Sequence, residues 1–291
     1  MKVMKKIIIL LVTTLTIFGC SSEDIPPTIY TLTVSSNPTE GGTINPTGGE
    51  YEEGTEVTIN VTPNETYSFS NWSGSLDGSE SPLIITMDSD INLVGNFTRI
   101  PPLYLDENGV TIKVREWVRV GDFHEFNGVQ YEVINNISEY YTNPNYDLSK
   151  TVLKDVGSME GWFGETRVGT PDHIIKFNQD ISHWDTSSVT NMSTLFINNS
   201  EFNQDISHWD LSKVTSIMGM FFGPNTKFNR DISNWDVSNV NDMEVMFRYN
   251  KSFNQDLSNW NVSNVTNCVK FSEDTPQWTK PKPNFTNCDP N

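Results

Sequence analysis

Apolar and polar positions change rhythm along this chain, and each rhythm predicts a different element. From about Thr28 to Arg99 they alternate. Tyr30–Val34, Glu56–Val61 and Tyr67–Trp72 read as alternating runs, and Leu83–Met87 and Ile91–Phe97 supply two more strands. A period of two predicts strands. Gly41-Gly42, Gly48-Gly49, Pro63-Asn64 and Asp77-Gly78 separate them as turns. The sequence therefore predicts an all-β module over 29–99, with Tyr67, Phe69, Trp72, Ile85, Leu93 and Phe97 as its core. Residues 100–145 read as a smaller β adaptor or N-terminal cap. It has a strand at Val110–Val114 and a second run, Phe126–Val133, turned at Asn127-Gly128.

From 146 to 291 the rhythm becomes a long repeat. Phe-Asn-(Gln/Arg)-Asp-(Ile/Leu)-Ser-x-Trp occurs four times, beginning at Phe177, Phe202, Phe228 and Phe253, with spacings of 25, 26 and 25 residues. A fixed period of that size marks stacked units, none of which can bury its own apolar face alone. Within one copy, Ile181, Trp184 and Thr186 have the spacing of a leucine-rich-repeat strand. Val189, Met192, Leu195 and Phe196 then fall at i, i+3, i+6 and i+7, a helical spacing that Ser187 or Ser188 would cap. The predicted fold class is multidomain: an N-terminal all-β module, then an α/β leucine-rich-repeat-like solenoid of short strands and short helices. Val156, Met159 and Phe163 repeat Val189, Met192 and Phe196 at an offset of 33, a degenerate first copy. Trp184, Trp209, Trp235 and Trp260 are expected to form an internal column. A sugar-stacking platform is the alternative, and the shared strand face with Val and Leu favours the core.

Charge narrows the function. Formal net charge is −18, and the chain beyond the first 19 residues stands at −21, from 16 basic and 37 acidic residues. Nucleic-acid binding through phosphates is excluded, because it needs basic clusters. An acidic surface suits solubility, divalent cations or basic partners. The four histidines, His124, His173, His183 and His208, form no metal or catalytic motif, and neither a Gly-x-Ser-x-Gly elbow nor a phosphate loop occurs. No reaction is indicated, so the chain is read as not an enzyme.

Repeat columns remain as candidate chemistry. Asp180, Asp205, Asp231 and Asp256 recur in register, as do Asn178, Asn203, Asn229 and Asn254. Stacked carboxylates repel unless backbone N–H groups or a cation satisfy them. The first solution is a structural ladder that needs no cofactor. The second is calcium, whose ligands are such oxygens, although the calcium-binding Gly-Gly-x-Gly-x-Asp nonapeptide is absent. A second column, Asp185, Asp210, Asp236 and Asn261, should point outward, beside His183, His208, Asn234 and Asn259. These eight residues are the expected binding face.

The N-terminus begins with Lys2, Lys5 and Lys6, runs through Ile7–Val12 to Phe18, and is too short for a stable membrane span, so residues 1–19 read as a signal peptide. Its ending, Ile17-Phe18-Gly19-Cys20, resembles a bacterial lipobox. That resemblance implies lipidation at Cys20, a membrane partner through that anchor, and a tether over 20–28. Ser21 after the cysteine argues against inner-membrane retention, so the expected location is the outer membrane, lipid-anchored and exposed at the cell surface. With Cys20 lipidated, Cys268 and Cys288 remain as a pair that export allows to form a disulfide.

The copies FNQDISHWDTSSVTNMSTLF (177–196), FNQDISHWDLSKVTSIMGMF, FNRDISNWDVSNVNDMEVMF and FNQDLSNWNVSNVTNCVKFS resemble the repeat of about 26 residues in BspA-like leucine-rich-repeat surface lipoproteins. NPTEGGTINP (37–46), YEEGTEVTINVTP (51–63), FSNWSG (69–74) and MDSDINLVGNF (87–97) resemble internalin-type B-repeats, which act mostly as spacers. The resemblances imply a surface protein that binds an extracellular protein or glycan. The alternative is a structural surface or matrix component without a discrete ligand.

Overall fold

The computed structural model describes residues 26–291. The expected signal peptide, Cys20 and most of the tether lie outside the described residues. The chain divides into two compact units, one ending at Arg99 and one spanning Ile100–Asn291. Among the described residues, no helix is long and apolar enough to cross a membrane.

The first unit is built from seven strands: β1 (Ile29–Asn37), β2 (Gly42–Asn45), β3 (Gly48–Glu52), β4 (Glu56–Pro63), β5 (Tyr67–Gly74), β6 (Leu83–Thr86) and β7 (Ile91–Arg99). They form one sheet in the order β3-β1-β7-β5, with β1 and β7 parallel, and a second in the order β2-β4-β6. Leu32, Ile59, Trp72, Ile85, Leu93 and Phe97, drawn from both sheets, share one buried core. Trp72 is fully buried and its indole N–H donates to the Glu80 carbonyl at 2.9 Å. Pairing of β5 with β7 slips by one residue between Phe69 and Asn71. Three positions apart, Phe69 and Trp72 would face opposite sides of a regular strand. The bulge brings their rings to 5.1 Å.

Two of these strands, β2 and β3, lie where the glycine pairs predicted only turns. Gly48 pairs with Thr33 at φ 133°, and a Cβ there would stand 2.7 Å from the Leu32 carbonyl oxygen. Glycine thus marks a close approach between strands here.

The second unit opens with a two-stranded sheet of β8 (Leu103–Leu105) and β9 (Ile112–Val114). A three-stranded sheet follows, β10 (Phe123–Phe126), β11 (Val129–Ile134) and β12 (Thr151–Leu153), in that order. Asn127 and Gly128, at φ 50° and 81°, make the hairpin turn between β10 and β11. Because β12 pairs in parallel with β11, this sheet runs through position 145 rather than stopping there. Two short helices, α1 (Ser138–Thr142) and α2 (Asp172–Ile175), complete the regular elements.

The expected solenoid of short strands and short helices is overturned. From Lys176 to Asn291 no strand and no helix forms. Regular structure is mostly β, in several small sheets, and the repeats are irregular coils joined by single parallel bridges. Ser158, Asn191, Ser216, Asp242 and Asn267 bridge in that order. The backbone explains why no helix forms at 189–196. The N–H groups of Met192, Thr194, Phe196 and Asn198 donate to the carbonyls of Ser216, Met218, Met220 and Phe222 in the next coil. The intervening N–H groups of Leu195, Ile197 and Asn199 turn back to Met192, Thr194 and Phe196. Thr194 and Asn198 hold φ at 53° and 55°, which an α-helix forbids. Val245 and Tyr249, then Lys270 and Asp274, repeat this pair of left-handed residues. The expected strand at 181–186 is likewise a turn, closed by Trp184 N–H on the Ile181 carbonyl at 3.2 Å.

The apolar spacing was real although its period was misread. Val189, Met192, Leu195 and Phe196 are all fully buried, as are their counterparts in the second and third copies, while the fourth copy keeps Val265, Cys268 and Phe271 buried and has half-buried Ser272 in the last place. Phe177, Phe202, Phe228 and Phe253 stack at 5.9–6.1 Å. A second row, Phe163, Phe196, Phe221 and Phe247, runs beside it at 5.6–5.8 Å. Trp209, Trp235 and Trp260 are 3–4% exposed, and each donates its indole N–H to the carbonyl of an isoleucine one coil back, Ile181, Ile206 and Ile232. Burying one such side chain contributes roughly 4–6 kcal/mol before entropy is counted. Cys268 and Cys288 are joined as a disulfide, with Cα atoms 5.8 Å apart. Trp278 and Phe285 cover Phe271 in the last coil.

Candidate functional site

The repeat columns separate into polar groups that build the stack and polar groups left on its surface. Asn199 is fully buried. Its Nδ2 donates to the Phe163 and Ile174 carbonyls, and its Oδ1 accepts from the N–H groups of Glu201 and Phe202. Asn250 repeats the arrangement with Ser252 and Phe253. An asparagine stands three residues before the repeat phenylalanine at Asn199, Asn225 and Asn250, a column the sequence reading did not use. The Gly-Pro loop of the second copy leaves Asn225 exposed and puts Thr226 in the buried place.

The Asn178 column forms a ladder along the side of the stack. Asn203 N–H donates to Asn178 Oδ1 at 3.0 Å, Asn229 N–H to Asn203 Oδ1 at 3.0 Å, and Asn254 N–H to Asn229 Oδ1 at 2.8 Å. In the neighbouring column, Asp180, Asp205, Asp231 and Asp256 each accept the N–H two residues on, from Ser182, Ser207, Ser233 and Ser258. Each carboxylate is thereby tied to its own turn. These backbone N–H donors, then the serine hydroxyls, hold the carboxyls of Asp205 and Asp231 below the ordinary carboxylate range. Among the described residues, no three His, Cys, Asp or Glu side chains gather as a metal-holding group.

The expected face does not form one continuous surface. His183 is half-buried, with Nε2 2.8 Å from the Thr151 carbonyl and its ring edge-on to Tyr131. Burial pushes its pKa down, against the pull of the Thr151 carbonyl and Asp180. Asp185 lies 3.6 Å from the Lys113 ammonium. Burial lowers the Lys113 pKa, but Asp185 and Asp106 outweigh it and the net shift is upward. The first copy's two residues are therefore engaged by the sheets at 103–153.

The other six stay exposed: His208, Asp210, Asn234, Asp236, Asn259 and Asn261. Asp210 and Asp236 each accept one N–H through Oδ1, from Ser212 and Ser238 at 2.8 and 3.0 Å, and Asn261 accepts from Ser263 at 3.2 Å. Asn234 donates to the Ser207 carbonyl at 3.0 Å. Asp205, Arg230, Asp231 and Asn234 line a shallow groove of about 380 Å³ beside this row. The arrangement is a repeating display of carboxylate, amide and imidazole. Nothing in it sets a nucleophile beside a base.

Two family models match parts of the chain. Residues 31–101 match the divergent InlB B-repeat domain. Residues 168–285 match a Mycoplasma protein family of unknown function, DUF285. Together they fit a bacterial surface repeat protein, and neither is a leucine-rich-repeat family. No curated protein and no solved structure matches the chain.

Proposed function

We propose that this chain is a binding protein of the bacterial cell surface, anchored by lipid at Cys20 in the outer membrane. Its coils present a row to an extracellular protein or glycan, and the β module of residues 29–99 serves as a spacer. The observation that carries the reading is the row His208-Asp210, Asn234-Asp236 and Asn259-Asn261. It stays exposed on three successive coils while the core beneath it is fixed. The two family matches support a surface setting. A rigid polar row suits recognition because little side-chain and loop ordering remains to oppose binding. A net charge of −18 favours basic partners. No cofactor is part of this reading, and calcium bridging the exposed carboxylates is tested in the same experiment.

That experiment is binding of the full chain to a panel of glycans and extracellular proteins, with calcium and with chelator. A saturable hit weakened at least tenfold by Asp210→Ala with Asp236→Ala supports the row. A hit indifferent to both places the interaction elsewhere. No hit under either condition favours a structural surface component without a discrete ligand. Radiolabelled fatty acid incorporated by the native chain and lost in Cys20→Ala would support the anchor.

A further inference from the structure

The stack has an open edge at its first coil. Inside the stack every coil receives four N–H donors on alternate carbonyls. Ser216, Met218, Met220 and Phe222 accept from the coil before, and so do Asp242, Glu244, Met246 and Arg248. Asn191, Ser193, Leu195 and Ile197 accept in the same way from Met159, Gly161, Phe163 and Glu165 of the first coil. The first coil has no coil before it. Its corresponding carbonyls belong to Ser158, Glu160, Trp162 and Gly164. Among the described residues, only that of Gly164 accepts a backbone bond, from Thr166 within its own loop.

This edge borders a cleft of about 460 Å³, within the size range of small-ligand sites. Glu160, Trp162 and Arg167 line it from the coil side, and Asn136, Ser138 and Tyr141 from α1 and the loop before it. Trp162 is out of character for its place. Its counterparts Leu195, Met220 and Met246 are fully buried, whereas Trp162 is only half-buried, edge-on to Trp184 at 6.0 Å. Tyr140 of α1 closes the adjacent aromatic row by contacting Phe163 and Phe177. A whole further coil therefore has no place there, but a single short segment does.

We propose that this cleft binds a short polypeptide segment from a partner, which takes the turned conformation of a coil and adds one rung to the ladder. The segment's N–H groups at alternate residues would donate to Ser158, Glu160 and Trp162, as those of each coil donate to the next. An apolar or aromatic side chain of the segment would lie against Trp162 and Tyr141. The site is separate from the exposed row of His208 to Asn261, and either can fail without the other.

The probe is a synthetic peptide of residues 190–199, which makes this donor pattern inside the protein through Met192, Thr194, Phe196 and Asn198. Binding to the full chain is followed by fluorescence anisotropy. The expected result is saturable binding, weakened at least tenfold when those four residues are N-methylated and by less than threefold when Asn191, whose N–H makes no backbone bond, is N-methylated instead. Modifying the peptide leaves the protein's folding untouched. Trp162→Ala, checked for its thermal transition, should weaken binding by a similar factor. Equal loss from both methylation patterns overturns the proposal, as does absence of saturation at millimolar peptide. Binding of neutral oligosaccharides at this cleft in place of the peptide would also overturn it.

Discussion

The β module and the coil stack bury similar kinds of side chain and satisfy their backbones in opposite ways. In the module, strands of up to nine residues pair in continuous ladders, such as β1 with β7. Side chains there need only alternate, inward apolar and outward polar. In the stack, N–H groups over 192–199 and its counterparts alternate between reaching the next coil and closing local turns. The groups left over fall to side chains: Asn199, the Asn178 ladder, the aspartate turns and the tryptophan indoles. Polar residues are therefore structural in the stack and mostly solvated in the module. The same substitution should cost more in one than in the other.

The largest break in that comparison is Trp235→Ala. It removes a side chain 4% exposed, stacked on Trp260 at 6.3 Å, and takes from the Ile206 carbonyl one of its two donors, leaving only the Trp209 N–H. A loss of about 4 kcal/mol is expected in urea unfolding. Close behind comes Asn199→Leu, which strands the Phe163 carbonyl and the N–H groups of Glu201 and Phe202, while the Ile174 carbonyl keeps the Phe177 N–H, and should cost about 3 kcal/mol. Asn96 in the module is the control. Its side chain donates to Ser73 in a half-exposed place, so Asn96→Ala should cost about 1 kcal/mol or less. Equal costs for Asn199 and Asn96 would erase the distinction.

Reducing the Cys268–Cys288 bridge opens a loop 20 residues long and should lower stability by roughly 3 kcal/mol in the chain-entropy model. The loss should appear in exchange protection of the last coil and leave residues 29–99 unchanged.

Lys270→Gly sharpens the contrast by its sign. In a helix that exchange costs about 0.7 kcal/mol. At φ 55°, where Lys270 stands, glycine relieves strain and should stabilise by up to about 1 kcal/mol. A drop in the urea midpoint would mean that the position is not left-handed.

The smallest effect is a pH slope. Burial holds the His183 pKa below its ordinary 6.5. Above that value both states are neutral and the residue contributes no slope. As pH falls below it, the unfolded chain takes up a proton that the folded chain refuses, so stability declines. His183→Asn, the residue found at this position in the third and fourth copies, should flatten the thermal midpoint between pH 7 and pH 5.

How much of this was legible in the sequence follows from the same contrast. Alternation located β1, β4, β5, β6 and β7, because a strand writes its period directly into side-chain burial. It missed β2 and β3, whose glycines carry no side chain to show a face. In the coils, the spacing of Val189, Met192, Leu195 and Phe196 identified the buried residues and misidentified the backbone. Two turns around a left-handed residue bury the same positions as one helix, and only φ at Thr194 and Asn198 separates them. The exposed row could be placed from the repeat for its later copies. The partial cover of His183 and Asp185 was not legible, because it comes from Thr151, Tyr131 and Lys113, far away in sequence.

The most direct test of the coil architecture is NMR detection of scalar couplings across hydrogen bonds in the full chain. The account predicts couplings from the Thr194 amide to the Met218 carbonyl and from Phe196 to Met220, one coil away. Couplings from these amides to carbonyls four residues earlier, Thr190 and Met192, would establish a helix and contradict it.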